Sequence, residues 1–357
     1  MSRRPRIALR VHGGLPAREC AAQARAAEEA GFSTVWFAEN PFGRGAMSGL
    51  AASALATSRI CLGVGIFNPF TRHPTLIAME MAALDELSNG RLVLGIGSGI
   101  RLGQMGIAAP RRIAALRDAI HITSGLLRGE TVEYEGAVFS ARSVRLECPL
   151  RKAGVPVCMA AMGDRALDLC GRIADGLMIS NLSPPAFTRR AVGVVARGAA
   201  AAGRPMPAEV VQYVTAAIDD DRHQARQRAK AAVGAMLVAY CHDGRASAAT
   251  QSAVRDYNGL APKEFEGIVR RLAQGESGAG VIDDELLEQY AVAGTVSECL
   301  DRCGAYSDAG ATELGLWFAS DHALRDIARV GRALDSARSA RDIGDHAEPL
   351  RGRAPRD

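Results

Sequence analysis

Ile60-Cys61-Leu62-Gly63-Val64-Gly65-Ile66 and Arg91-Leu92-Val93-Leu94-Gly95-Ile96 are two short runs, apolar nearly throughout, with one helical stretch between them. Pro74 stands at a natural first-turn position for that helix, and Asn89-Gly90 ends it. In between, Ile77, Met81 and Leu84 recur at i, i+4 and i+7 and share one helical face, with Leu87 toward its edge. A strand that is apolar rather than alternating needs cover on both faces, so this strand–helix–strand unit predicts a parallel sheet wrapped by helices.

The same unit repeats on either side. Upstream, Arg6 to Val11 reads as a strand, Ala17 to Ala30 as a helix stopped by Gly31, and Ser33 to Ala38 as a buried strand. The polar loop Glu39 to Arg44 follows, then a small-residue helix from Met47 to Thr57. Downstream, Val132 to Leu146 alternates around Glu135-Gly136 and predicts a hairpin inserted between units. Strands five to seven are expected at Val155–Ala161, Gly176–Ser180 and Ala208–Ile218, with helices at Asp164–Ala174 and Pro184–Ala202. Asp219-Asp220-Asp221 places acids at the positive end of a helix running to about Tyr240. From Cys241 to Val292 the pattern loosens into short helical pieces, read as an excursion over one barrel mouth. Thr295–Ala309, Thr312–Phe318 and Asp321–Leu334 supply a helix, an eighth strand and a closing helix.

Parallel units of this kind leave a barrel or a doubly wound open sheet, and eight strands in this order favour the barrel. The expected fold is α/β, a single (β/α)8 TIM barrel over residues 1–336, with an inserted hairpin and a helical excursion after strand seven. Residues 337–357 read as a mobile tail.

Composition narrows the function. Of 357 residues, 48% are hydrophobic and 23% charged, the pattern of a soluble globular protein. The formal charge of +4 is small for this size and the arginines are scattered, so no nucleic-acid surface is indicated. No apolar run approaches the ~20 residues of a membrane span, and Arg3-Arg4 lacks the apolar segment that a secretory signal needs. The eight cysteines show no C-x-x-C and no histidine at zinc-ligand spacing. They predict small buried residues in a reducing cytoplasm, and no metal site.

Several segments carry a family pattern: Asn68-Pro69-Phe70-Thr71-Arg72-His73-Pro74, then Leu84-Asp85-Glu86-Leu87-Ser88-Asn89-Gly90-Arg91, then Leu94-Gly95-Ile96-Gly97-Ser98-Gly99. Glu133-Tyr134-Glu135-Gly136, Ala160-Ala161-Met162-Gly163 and Ala174-Asp175-Gly176 continue it. In order and spacing these segments resemble the bacterial luciferase-like family over nearly the whole chain. Within it they are most similar to methylenetetrahydromethanopterin reductase and related enzymes dependent on coenzyme F420.

The resemblance implies a tricyclic cofactor ring lying across the carboxyl ends of the strands. It implies a non-prolyl cis peptide in a bulge at Gly65-Ile66, supporting the ring from behind; read alone, Gly63 and Gly65 only permit close strand packing. It implies cofactor contacts at Gly97-Ser98-Gly99, at Ala160-Ala161-Met162-Gly163 and at Ser180. Ala160 to Gly163 also precedes a helix, where free N–H groups favour a phosphate, while Gly97 and Gly99 read equally as turn residues. Relatives commonly carry Asp-His where this chain has Glu39-Asn40, so both are expected to hydrogen-bond to the cofactor and serve catalysis. Their alternative is an idle, solvated loop. The same motif match implies that Asn68 lies near the ring or organises the bulge; alternatively it only caps a turn before Pro69.

Three residues depart from the family pattern. Arg10 ends strand one where the reductase has an acid, Asn40 replaces the histidine, and Ile100 replaces an acid that often follows Gly-x-Gly. Proton donors used by relatives are therefore missing. Arg10 and Arg101 become candidates for binding an anionic substrate, against the commoner reading of surface arginines. His73 reads as structural, and Asp85 and Glu86 as organisers of the barrel bottom.

The expected function is hydride exchange between F420 and a small organic substrate. The alternatives are an FMN-dependent monooxygenase and a flavin-binding barrel without turnover. The resemblance also implies a homodimer, and neither a nucleic acid nor a membrane is expected as a partner.

Overall fold

Eight parallel strands close into a ring in the computed structural model, which describes residues 5–40, 42–99, 101–150 and 154–345, with side chains through 336. The strands are β1 (Arg6–Val11), β2 (Thr34–Phe37), β3 (Cys61–Phe67) and β4 (Leu92–Ile96). A two-stranded antiparallel hairpin, β5 (Val132–Tyr134) and β6 (Ala141–Val144), stands apart from the ring. The ring continues with β7 (Val157–Ala160), β8 (Gly176–Ile179) and β9 (Glu209–Ile218), and β10 (Ala291–Gly294) precedes the last strand, β11 (Glu313–Phe318). Sheet order runs β11-β1-β2-β3-β4-β7-β8, and β9 closes the circle by pairing with both β8 and β11. The expected barrel, its hairpin and its excursion are thus present.

β10 corrects the sequence reading, in which Val292 ended a loose excursion. Ala291–Gly294 pairs in parallel with Thr215–Ile218, above the stretch of the same β9 edge that β8 holds at residues 209–212. Ten residues make β9 long enough to serve two partners in succession. Four small residues carry no periodicity of their own, so this strand exists through its pairing. The last helix also differs from the expected Asp321–Leu334, spanning Ala323–Asp345. The part of the expected tail beyond 345 lies outside the described residues, as do Ile100 and the Arg-rich ends.

Three separate clusters build the interior among the described residues, one of them among the helices of the excursion. The largest joins the outer faces of the strands to the helices. A smaller one, contributed by β1, β2, β7, β8 and β9, fills the ring with Ala8, Trp36, Cys158, Met178, Val211 and Tyr213. At the amino ends of the strands the buried Glu313 accepts hydrogen bonds from Trp36 Nε1 at 2.7 Å, Ser33 Oγ at 2.8 Å and Thr34 Oγ1 at 2.9 Å. That satisfied carboxylate ties β11 to β2 and seals the bottom of the barrel.

The motif segments away from the strand ends have structural work. Arg91 donates to Ser88 O, Ile60 O, Ala54 O and Thr57 O, fastening the helix Ala46–Ala56 and two strands to one guanidinium. Tyr134 Oη donates to the buried Asp118 at 2.9 Å, and Val138 N to the same carboxylate at 2.7 Å, anchoring the hairpin. His73 caps the helix Pro74–Ser88, its Nδ1 accepting from Thr75 N at 3.3 Å.

Five cysteines are buried and three half-buried, and none is joined in a disulfide among the described residues. Burial pushes the Cys170 thiol up to about 12. No cluster among the described residues is suited to a metal ion. No helix among them is long and apolar enough to cross a membrane.

Candidate functional site

The strand ends converge on a cavity of about 240 Å³ at the carboxyl mouth of the ring. Each ring strand from β1 to β9 sends its chain outward here, the end of the fold where βα loops assemble sites. The bulge in β3 is the centre of the wall. Pairing with β4 shifts register between Val64 and Phe67, and the Gly65-Ile66 bond is cis, as the family pattern implies. A β-carbon on residue 65 would overlap the Tyr213 phenol oxygen and stand 2.8 Å from Met178 Cε. Only glycine allows the bulge to lie this close to the barrel interior.

Asn68 fastens the bulge to the next loop. Its Nδ2 donates to Ser98 O at 2.9 Å and its Oδ1 accepts from Phe70 N at 3.0 Å. It lines the cavity as well. Gly99 has φ +58°, and a β-carbon there would collide with the Asn68 amide. Ser98 therefore acts through its backbone carbonyl. Gly97 packs under the Ile66 side chain, outside the cavity wall.

Glu39, after β2, borders the cavity, but its carboxylate is engaged. Oε2 accepts from Ala46 N at 2.7 Å at the start of the helix Ala46–Ala56, and Oε1 faces Arg72 at 3.7 Å. Asn40 points elsewhere. Its Nδ2 donates to Gly13 O at 2.9 Å and its Oδ1 accepts from Phe42 N at 3.3 Å, which staples the β1 loop to the β2 loop.

On the opposite arc, Ala160, Met162 and Ser180 line the cavity. Ala161 is buried behind them, with its N–H donated to Met178 O at 3.2 Å. Gly163 begins the helix Asp164–Ile173, and Asp164 occupies its first turn in an ion pair with Arg190 at 2.5 Å. Arg10 reaches the cavity from β1. Arg101 does not: it stacks over Phe42 at 4.2 Å and donates to Gln104 at 2.8 Å.

Sequence reasoning missed several wall residues. Tyr213 and Asn181 face the cavity, and the excursion contributes Tyr240, Arg245 and Thr250 as its roof. A signal for Tyr213 was available, since Gln212-Tyr213 interrupts a strand otherwise apolar enough to be covered on both faces. Gln212 is fully buried, donating to Ser180 O at 3.1 Å and accepting from Thr188 Oγ1 at 2.9 Å. Three buried polar atoms on the wall have no partner: Arg10 Nε, Asn181 Oδ1 and Tyr213 Oη. Burial pushes the Tyr213 phenol well above its usual range, partly offset by the charge on Arg10.

The sequence model of the family described as Luciferase-like monooxygenase matches residues 4–313. The 5,10-methylenetetrahydromethanopterin reductase of Methanolobus tindarius is 32% identical over 306 residues, which cover 84% of this chain and 90% of that protein. An F420-dependent glucose-6-phosphate dehydrogenase of Microbacterium testaceum is 33% identical over 194 residues, 50% of this chain and 57% of that one. The solved coenzyme F420-dependent tetrahydromethanopterin reductase of Methanopyrus kandleri superposes with a TM-score of 0.80 at 26% identity, covering 92% of this chain and 98% of that chain. With a match that runs from residue 4 to the start of β11, this chain belongs to the luciferase-like monooxygenase family.

Proposed function

We propose that this oxidoreductase exchanges hydride between deazaflavin F420 and a small organic substrate held in the cavity at the carboxyl ends of the strands. The observation that carries this reading is the convergence of Glu39, Gly65, Ile66, Asn68, Gly99, Ala160, Met162 and Ser180 on a single wall. F420-dependent relatives support it.

The wall suits a flat ring with one polar edge. Ile66, Ala160, Met162 and Met178 offer apolar faces, while Asn68, Ser180 and Asn181 offer polar groups. Asn181 Oδ1 is a buried acceptor with no protein donor, the complement of an imide N–H. At about 240 Å³ the cavity has room for a ring-sized group, which Ala160, Met162 and Ser180 would border on one side. When bound, a deazaflavin supplies a centre that gives or takes hydride. The polypeptide contributes orientation and water exclusion, the roof from the excursion covering the wall. Glu39, Tyr213 and Tyr240 are the cavity groups able to carry a proton.

The family's description as monooxygenases supports the second reading, an FMN-dependent monooxygenase. Equilibrium titration of the purified chain with F420 and with FMN, followed by ring absorbance, separates the two. Saturable F420 binding without FMN binding is expected, and FMN binding alone would replace the first reading by the second. F420 binding without turnover across a broad panel of acceptors would favour a barrel that only holds the coenzyme.

A further inference from the structure

Arg10 is a cation without a counter-ion. No hydrogen bond or ion pair engages it among the described residues, and its Nε is buried without a partner. Its guanidinium stands 5.1 Å over the ring of Tyr213, which is only 8% exposed and whose Oη is likewise unpartnered. Two adjacent buried donors lacking an acceptor are unfavourable unless a ligand brings one.

The neighbouring charges are already committed. Arg245, in the same wall, faces Asp243 at 3.4 Å. Glu39 is held by Ala46 N and faces Arg72, so it does not neutralise Arg10. Burial first, and then the nearby Arg10, hold the His12 imidazole below its usual value. Arg10 also lines a second cavity of about 1220 Å³, together with Leu9, His12 and residues following β11. A ligand held by Arg10 therefore has room for its body beside the ring-sized cavity.

We propose that Arg10 and Tyr213 form a subsite for the oxyanion of the substrate, which makes the substrate a small organic anion. The planar guanidinium matches a carboxylate or a phosphate, and the phenol O–H adds a second donor. The assignment rests on the hydride-transfer reading, since it names the substrate class of the same site. It leaves Asn181 to the ring.

The test is ligand-observed NMR with propionate, propionamide and inorganic phosphate on the purified chain. Propionate or phosphate should bind about ten-fold more tightly than the neutral amide. Arg10→Gln should close that gap, Arg10→Lys should retain most of it, and Tyr213→Phe should weaken the anion roughly five-fold while leaving the amide unchanged. The tighter anion identifies the oxyanion. Equal binding of anion and amide, no anion binding, or a preference that survives Arg10→Gln would overturn the proposal.

Titration of F420 and FMN into wild type and Arg10→Gln separates this from the cofactor reading. If neither ring binds the wild type while the anion preference still depends on Arg10, the cofactor reading fails and the subsite stands. If Arg10→Gln abolishes ring binding and the wild type shows no anion preference, Arg10 serves the coenzyme and the subsite is overturned.

Discussion

The Tyr213 phenol oxygen occupies the space that a β-carbon on residue 65 would need. The β3 bulge and the interior of β9 are therefore shaped to each other, and the cavity wall depends on a contact between strands 148 residues apart in sequence.

Gly65→Ala is expected to destabilise the fold by about 1–3 kcal/mol through overpacking and to weaken coenzyme binding. Tyr213→Phe in the same chain removes the oxygen and should recover part of both losses. Urea unfolding and coenzyme titration of the single and double variants check this. Additive effects would show that the two residues are not coupled.

Asn68→Asp keeps the size of the side chain but cannot donate to Ser98 O while ionised. A loss of about 1–3 kcal/mol is expected from the unpaired carbonyl, with weaker coenzyme binding because Asn68 lines the cavity. A stable Asn68→Asp protein with unchanged coenzyme affinity would remove Asn68 from the site.

Glu313 gives the contrasting case. Glu313→Ala leaves the buried Trp36 Nε1–H and Thr34 hydroxyl without their acceptor, a cost of about 2–5 kcal/mol. The network lies at the amino ends of the strands, so coenzyme affinity of the folded fraction should be unchanged. Urea unfolding measures the first quantity and titration the second.

His73 makes stability depend on pH in a stated direction. Burial holds its imidazole below the ordinary 6.5, and the cap needs the neutral ring because Nδ1 accepts from Thr75 N. Between the lowered folded value and 6.5 the unfolded chain binds more protons, so stability is full above about 6.5 and declines as pH falls through that window. His73→Asn can still cap the helix and should lack this component of the decline. Thermal unfolding of both proteins from neutral to mildly acidic pH compares them.

The barrel was legible because its strands are short apolar runs covered on both faces, and because Pro74, Asn89-Gly90 and Asp221 mark helix boundaries by local chemistry. β10 was not legible, since Ala-Val-Ala-Gly becomes a strand only beside β9. The same division runs through the site. Backbone-determined positions such as Gly65, Ile66, Gly99 and Ala160, which the family pattern marks as cofactor contacts, line the cavity. Asn40 and Arg101 are consumed by Gly13 O and by Phe42, contacts made between loops that no spacing reveals. Asn181 enters the wall from an ordinary-looking turn, and its unpaired atom, like that of Tyr213, is visible only once the ring has closed.

In the proposed function the carboxyl-end cavity is a bed for a deazaflavin-type ring. A crystal structure of the chain saturated with F420 tests it most directly. The tricycle is expected against the Gly65-Ile66 peptide, between Ala160 and Met178, with its imide edge toward Asn181. A coenzyme bound elsewhere on the molecule, or a cavity free of it after soaking with F420 and with FMN, would contradict the claim.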